Sequence, residues 1–237
     1  PLEVSVNGKQ VEKFIENNKL THFIKVKEKK QKVLIVYDFT HPDIRLVKSA
    51  LYGLDHIELK STNFYDIHKD CSGFNAVIFV GNSENESNMD LWLKKLKDCK
   101  VGFVWITGVQ GDFKNEFLKF VRLDNSNDDV SLLINSEFTP FKLDESLKET
   151  LQSNQRISMP FGKWILQGEP IQLASQVVNG VSTNYDAISF SNYEGVSFCV
   201  MFGEGYWRYG LRGSENMTKL FRKTIDVVSV HIDDSKI

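Results

Sequence analysis

Cysteine is scarce in this chain of 237 residues: Cys71, Cys99 and Cys199 are widely spaced and odd in number. That spacing excludes a C-x-x-C metal knuckle and argues against a dense disulfide framework, while leaving the redox compartment open. The histidines, His22, His41, His56, His68 and His231, show no H-x-x-x-H or related ligand spacing, so neither zinc nor any other metal or cofactor is expected. Excess positive charge is missing too. With 29 Lys and Arg against 31 Asp and Glu, nothing is available to neutralise a run of phosphates, and Lys25, Lys27, Lys29, Lys30 and Lys32 form a single short basic cluster. Nucleic acid is therefore not an expected partner. Long hydrophobic runs are also absent. The longest, residues 75–81 and 196–202, have the length of strands and fall far short of a bilayer span, so membrane contact would run through sequence outside this segment. The chain opens at Pro1 without an initiator Met or a signal peptide, and reads as an excised segment.

What is present is an ordinary globular balance of apolar and charged residues, enough for one sizeable core. VLIVYDF (33–39) is a continuous β-branched and aromatic run suited to a strand buried on both faces. THPDIRLVKSALYG follows, with Ile44, Val47, Leu51 and Leu54 at helical spacing and Arg45 and Lys48 on the other face. HIELKST and AVIFVGN read as strands. NMDLWLKKLKDC reads as an amphipathic helix with Leu91, Trp92 and Leu96 on one side and Lys94, Lys95 and Lys97 exposed, and VGFVWI as a fourth strand. This alternation predicts a doubly wound, mainly parallel sheet. IQLASQVV, DAISFSN and GVSFCVMFG add strands, the last two joined as an antiparallel hairpin through turn residues 192–195. MTKLFRKTIDVVSV closes the chain as a helix. Residues 123–168 carry the weakest pattern and are assigned loops and one short helix near 145–152. Residues 1–30 stand apart: EVSV and HFIKVKE alternate like strands around VNGKQVEKFIENNKL, and two strands cannot bury a core alone.

Two stretches carry candidate chemistry. Thr40-His41-Pro42-Asp43 falls where the first buried strand enters its helix, at the carboxyl edge where α/β proteins place ligands. Its structural reading is a capping box, with Thr40 as N-cap and Asp43 reaching back; its functional reading makes His41 a general acid or base. The carboxylate at the helix start and the lack of glycine argue against a phosphate cradle, and so against flavin mononucleotide or dinucleotides. GEGYWRYGLRG (203–213) either locks the closing helix onto the sheet edge or lines a pocket with Glu204, Trp207 and Arg208. None of the cysteines stands where a reactive thiol belongs.

The order of VLIVYDFTHPDI near the front, VWITGVQGD (104–112) at mid-chain and VMFGEGYWRYG near the end resembles the class I glutamine amidotransferase-like fold. More narrowly, it looks like the degenerate amidotransferase-like domain of large membrane-anchored envelope proteins of Bacteroidetes-type bacteria. There immunoglobulin-like modules precede the domain, and ENN-x-x-x-x-F-x-K-V is similar to the last hairpin of such a module. The resemblance covers about residues 31–230. It implies an α/β, flavodoxin-like three-layer sandwich over 31–237, preceded by a terminal β-hairpin or edge extension over 1–30. It also implies a location on the periplasmic side of the cell envelope and other domains of the same protein or complex as partners. Active members of the class place Cys within G-x-C-x-G and His in a late V-x-F-H-P-E segment. Here Gly108-Val109-Gln110-Gly111 follows Thr107, with Val109 in the nucleophile's place, and Gly203 stands where the imidazole belongs. Neither side chain can attack or move a proton. The resemblance thus implies a non-catalytic recognition domain. The alternatives are a hydrolase with a site relocated to His41, Asp43, Glu204 and Arg208, or a small-molecule sensor. His231-Ile232-Asp233 imitates the family's His-x-acid spacing but follows the closing helix.

Overall fold

The structure is a computed structural model that describes residues 2–5, 19–22, 30–66, 71, 73–82, 86–110 and 113–229. The chain divides into two units, Pro1–Lys30 and Gln31–Ile237. In the first, β1 (Leu2–Ser5) pairs antiparallel with β2 (Lys19–His22). Of the strand expected over residues 22–28 only His22 is described, as the end of β2; residues 23–28, most of the stretch between the two strands, His68 and the His231–Asp233 motif lie outside the described residues.

The second unit opens with β3 (Gln31–Val36), α1 (Pro42–Leu51), β4 (Ile57–Thr62), β5 (Ala76–Val80), α2 (Glu86–Cys99) and β6 (Gly102–Ile106), in the order that the hydrophobic pattern predicts. β5 and β6 are buried along their whole length. On α2 the buried stripe is Trp92, Leu93 and Leu96, while Leu91, expected inside, is half exposed. Then come β7 (Leu118–Ile134), α3 (Glu145–Leu151), β8 (Ile157–Leu166), β9 (Ile171–Val178), β10 (Val181–Tyr193), β11 (Val196–Met201) and α4 (Trp207–Val228). The nine described strands of this unit join one sheet in the order β4-β3-β5-β6-β11-β10-β9-β7-β8.

This order corrects the expected fold class. The pairings from β4 across to β11 are parallel, but those of β11 with β10, β10 with β9, β9 with β7 and β7 with β8 are all antiparallel. A mainly parallel, flavodoxin-like sandwich with one added hairpin is therefore wrong. β7 and β8 overturn it, since they occupy the segment expected to be loops; only the short helix expected there is present, as α3. Both strands hide from a periodicity reading for physical reasons. In β7 the polar run 124–129 breaks the alternation, and the pairing with β8 shifts register between Arg122 and Asn127. β8 contains Pro160, which an edge strand tolerates because its N–H side is not needed for pairing, and Gly162, which leaves room for the backbone of Val121 and the ring of Phe120.

Aromatic side chains knit the two halves of the sheet. Phe103 of β6 stacks on Phe198 of β11 with ring centroids 5.1 Å apart, and Trp164 of β8 stacks on Phe202 at 4.3 Å. α1 and α3 both pack against α4. Cys71 and Cys99 form a disulfide that ties the β4–β5 connection to the end of α2, and Cys199 is a buried free thiol. Among the described residues no helix is long and apolar enough to cross a membrane.

Candidate functional site

The β3–α1 turn is capped differently from the sequence expectation. His41 is the N-cap, in extended backbone conformation, and its Nδ1 accepts the Asp43 N–H at 3.2 Å; Thr40 is exposed and outside the cap. Pro42, with no N–H to satisfy, takes the first helical position. Asp43 does not reach back to Thr40. Its fully buried carboxylate turns toward α4, where Oδ2 accepts the Gly205 N–H at 2.8 Å and Oδ1 accepts the Trp207 N–H at 2.7 Å. Tyr206, the N-cap of α4, makes no capping bond with its own side chain, so Asp43 caps that helix from another element. Burial raises the Asp43 pKa above the ordinary carboxyl value, and the two N–H donors offset part of that rise. GEGYWRYGLRG is in large part the first turns of α4, with a break in helical geometry at Gly213.

The mid-chain turn follows β6. Gly108 forms an isolated bridge with Gly203, its N–H donating to the Gly203 carbonyl at 3.0 Å. The Thr107 hydroxyl accepts the Gly203 N–H at 2.9 Å and donates to the Gly108 carbonyl at 3.0 Å. Val109 is half-buried in this turn. Gly203 has φ of +82°, and a Cβ on it would lie 2.3 Å from the Ser158 carbonyl oxygen and 2.7 Å from the Met159 Cβ. A side chain at this position would collide with the β8 segment, so the turn requires glycine.

The structure thus gathers His41, Asp43, Gly108, Glu204, Trp207 and Arg208 at one edge. Glu204 is held by backbone bonds in both directions with Ser158, and its Oε2 lies 3.7 Å from His41 Nε2, with the two side chains 35% and 33% exposed. Arg208 donates to the Arg156 carbonyl at 2.9 Å and stacks 5.1 Å from the Trp207 ring. Nδ1 of His41 accepts the Asp43 N–H and also lies 3.4 Å from Asp43 Oδ2; the first contact favours the neutral tautomer with its proton on Nε2, facing Glu204. In that tautomer the imidazole offers the cleft a donor and no basic lone pair. The Thr107 hydroxyl is engaged on both sides, and burial pushes the Cys199 thiol well above its ordinary pKa, so neither supplies an activated nucleophile. Among the described residues no group of three or more His, Cys, Asp or Glu converges as a metal site.

Sequence reasoning missed a groove of about 520 Å3 beside His41, between α1 and the edge strand β4. Tyr37 and Lys48 meet there, Lys48 Nζ donating to the Tyr37 hydroxyl at 2.7 Å, and this bond lowers the phenol's pKa from its ordinary value. The traces in sequence were faint: a tyrosine ending a buried run, and cations on the polar face of a helix.

No protein-family model matches the chain, and no curated protein matches it in sequence. Solved structures do match in fold. A ThuA-like protein from Bacteroides uniformis aligns with a TM-score of 0.53 at 15% identity, over 90% of this chain and 96% of that one. A cytoplasmic protein from Salmonella typhimurium LT2 aligns at 0.56 and 11% identity, over 84% of this chain and 100% of that one. A GMP synthase component from Thermoplasma acidophilum aligns more loosely, at 0.44 and 14% identity, over 82% of this chain and 96% of that one. At such identities the likeness is one of fold alone.

Proposed function

We propose that residues 31–237 are a non-catalytic, amidotransferase-like recognition domain of a multidomain cell-envelope protein. The observation that carries this reading is the packing around Gly203: the position of the family's base is filled by neighbouring backbone, while the nucleophile's position is Val109. The tautomer that the Asp43 N–H favours on His41 supports it further. A disulfide between Cys71 and Cys99 favours an oxidising compartment such as the periplasm, in keeping with the envelope setting. Its partners on this reading are other domains of the same protein or complex. The purified chain incubated with glutamine is expected to release no ammonia above the uncatalysed background; release at an enzymatic rate would end the reading.

One observation favours the second reading, a hydrolase with a relocated site: the His41–Glu204 pair is partly exposed at the edge of the sheet. Chromogenic ester and phosphoester substrates separate the two. Turnover that disappears in His41→Ala supports the hydrolase; no turnover in the unmodified chain supports the recognition domain.

A further inference from the structure

The groove between α1 and β4 has a charge balance that folding does not require. Its lining includes Tyr37 just past β3, Arg45, Lys48 and Tyr52 along and just past α1, and Leu59 and Lys60 of β4; among the described residues no acidic side chain lines it. Arg45 is exposed and has no carboxylate partner among the described residues. Lys48 is matched there by the Tyr37 phenol, lying 4.6 Å from its ring centroid. Lys60 meets Glu58 at 3.2 Å, with side chains 58% and 40% exposed, a pairing that adds little stability. Arg45 and Lys48 sit three apart on α1, where like charges repel. The Tyr52 ring, 84% exposed, gains little by burial in the chain alone. An occupant bearing negative charge and a flat apolar surface would relieve both costs. The volume of the groove falls in the range of small-molecule sites.

We infer that this groove binds a small molecule carrying a phosphate or carboxylate on a planar ring. The oxyanion takes charge-assisted hydrogen bonds from Arg45 and Lys48, and the ring lies against Tyr52 and Leu59. Arg45 is suited to a two-point contact with an oxyanion, whereas Lys48 acts as a point charge oriented by Tyr37. The inference rests on the reading of the domain as a recognition module and names the class of molecule recognised. A protein partner is a different occupant, which the uniform sign of the lining and the small concave volume do not favour.

The test is calorimetric titration of the whole chain with phenyl phosphate, with benzoate, phenol and an acid-rich peptide as comparators. Phenyl phosphate is expected to bind at one site, more weakly as salt is raised, with benzoate following and phenol giving no measurable heat. Arg45→Gln and Lys48→Met are each expected to weaken binding about tenfold, the loss of one charge-assisted bond, with circular dichroism unchanged. Absence of phenyl phosphate binding, equal binding of phenol, affinity unchanged in both variants, or binding of the peptide alone would overturn the site. If phenyl phosphate binds and is cleaved, the site stands and the non-catalytic reading falls. If it does not bind, the site falls, and the glutamine assay still decides the other reading.

Discussion

Asp43 joins two distant helix starts, belonging to the first turn of α1 while accepting the N–H groups that open α4, that of Trp207 being 164 residues away. Asp43→Ala would leave the Gly205 and Trp207 N–H donors without this partner and is expected to lower stability by about 2 to 6 kcal/mol in urea unfolding, at about 1 to 3 kcal/mol per orphaned group. The pH dependence has a definite sign. Burial raises the folded-state pKa, so above the ordinary aspartate range the folded chain retains a proton that the unfolded chain has released. That part of the stability is full below the unfolded value and is lost as pH rises through the folded one. Relative to Asp43→Asn, the unmodified chain should therefore lose thermal stability over that rise. A gap that opens on acidification instead would mean that the two N–H donors outweigh burial. At this scale the sequence was legible in part. His41 and Asp43 follow β3, and Glu204 and Arg208 follow β11, which makes a shared edge readable as an alternative site, but the direction of the Asp43 carboxylate is not readable, because its partners are backbone groups of a distant helix.

The elements that the pattern revealed are those with one dominant environment. β5 and β6 are buried on both faces and read as unbroken apolar runs, and α1 shows a clean stripe. β7 and β8 have mixed surroundings. Their exposed residues include Val121, Leu123 and Ile165, while polar residues interrupt β7, so apolar and polar positions do not sort by period. The helix expected from Met217 begins at Trp207 instead, its first turns hidden from the pattern by Gly210 and Gly213, which have low helix propensity. The disulfide between the β4–β5 connection and α2 gives an element-scale prediction. It links residues 28 apart. Replacing both Cys71 and Cys99 by Ser is expected to cost about 3 to 4 kcal/mol, the chain entropy of a loop of that size, measured by chemical denaturation. A change below about 1 kcal/mol would argue that the unfolded chain gains no constraint from the link.

For the whole molecule, the nine-stranded sheet lies entirely within residues 31–237, one of two compact units. A chain lacking residues 1–30 is therefore expected to unfold in one cooperative transition, at a Tm close to that of the full chain. Loss of cooperativity in calorimetry would show that the core needs the first unit. The sheet also shows why the fold class is not legible in the hydrophobic pattern. Strand, helix and strand at short intervals correctly placed β3 to β6 in a parallel block, but β7 to β10 extend the same sheet with antiparallel neighbours that the hydrophobic pattern assigned partly to loops.

The sequence by itself determined which segments seek burial, where α1 and α2 form, that β10 and β11 make a hairpin, and that the mid-chain turn carries Val109 and the segment after β11 carries Gly203, neither of which can attack or move a proton. Hydrophobic period and residue chemistry are local properties, and these conclusions need nothing more. Only the tertiary structure decided the half-antiparallel sheet, the union of Cys71 with Cys99, the capping of α4 by Asp43 and the cationic groove beside β4. Each depends on which surfaces meet after chain closure, and the free energy of those meetings is shared between residues that no sequence window contains together.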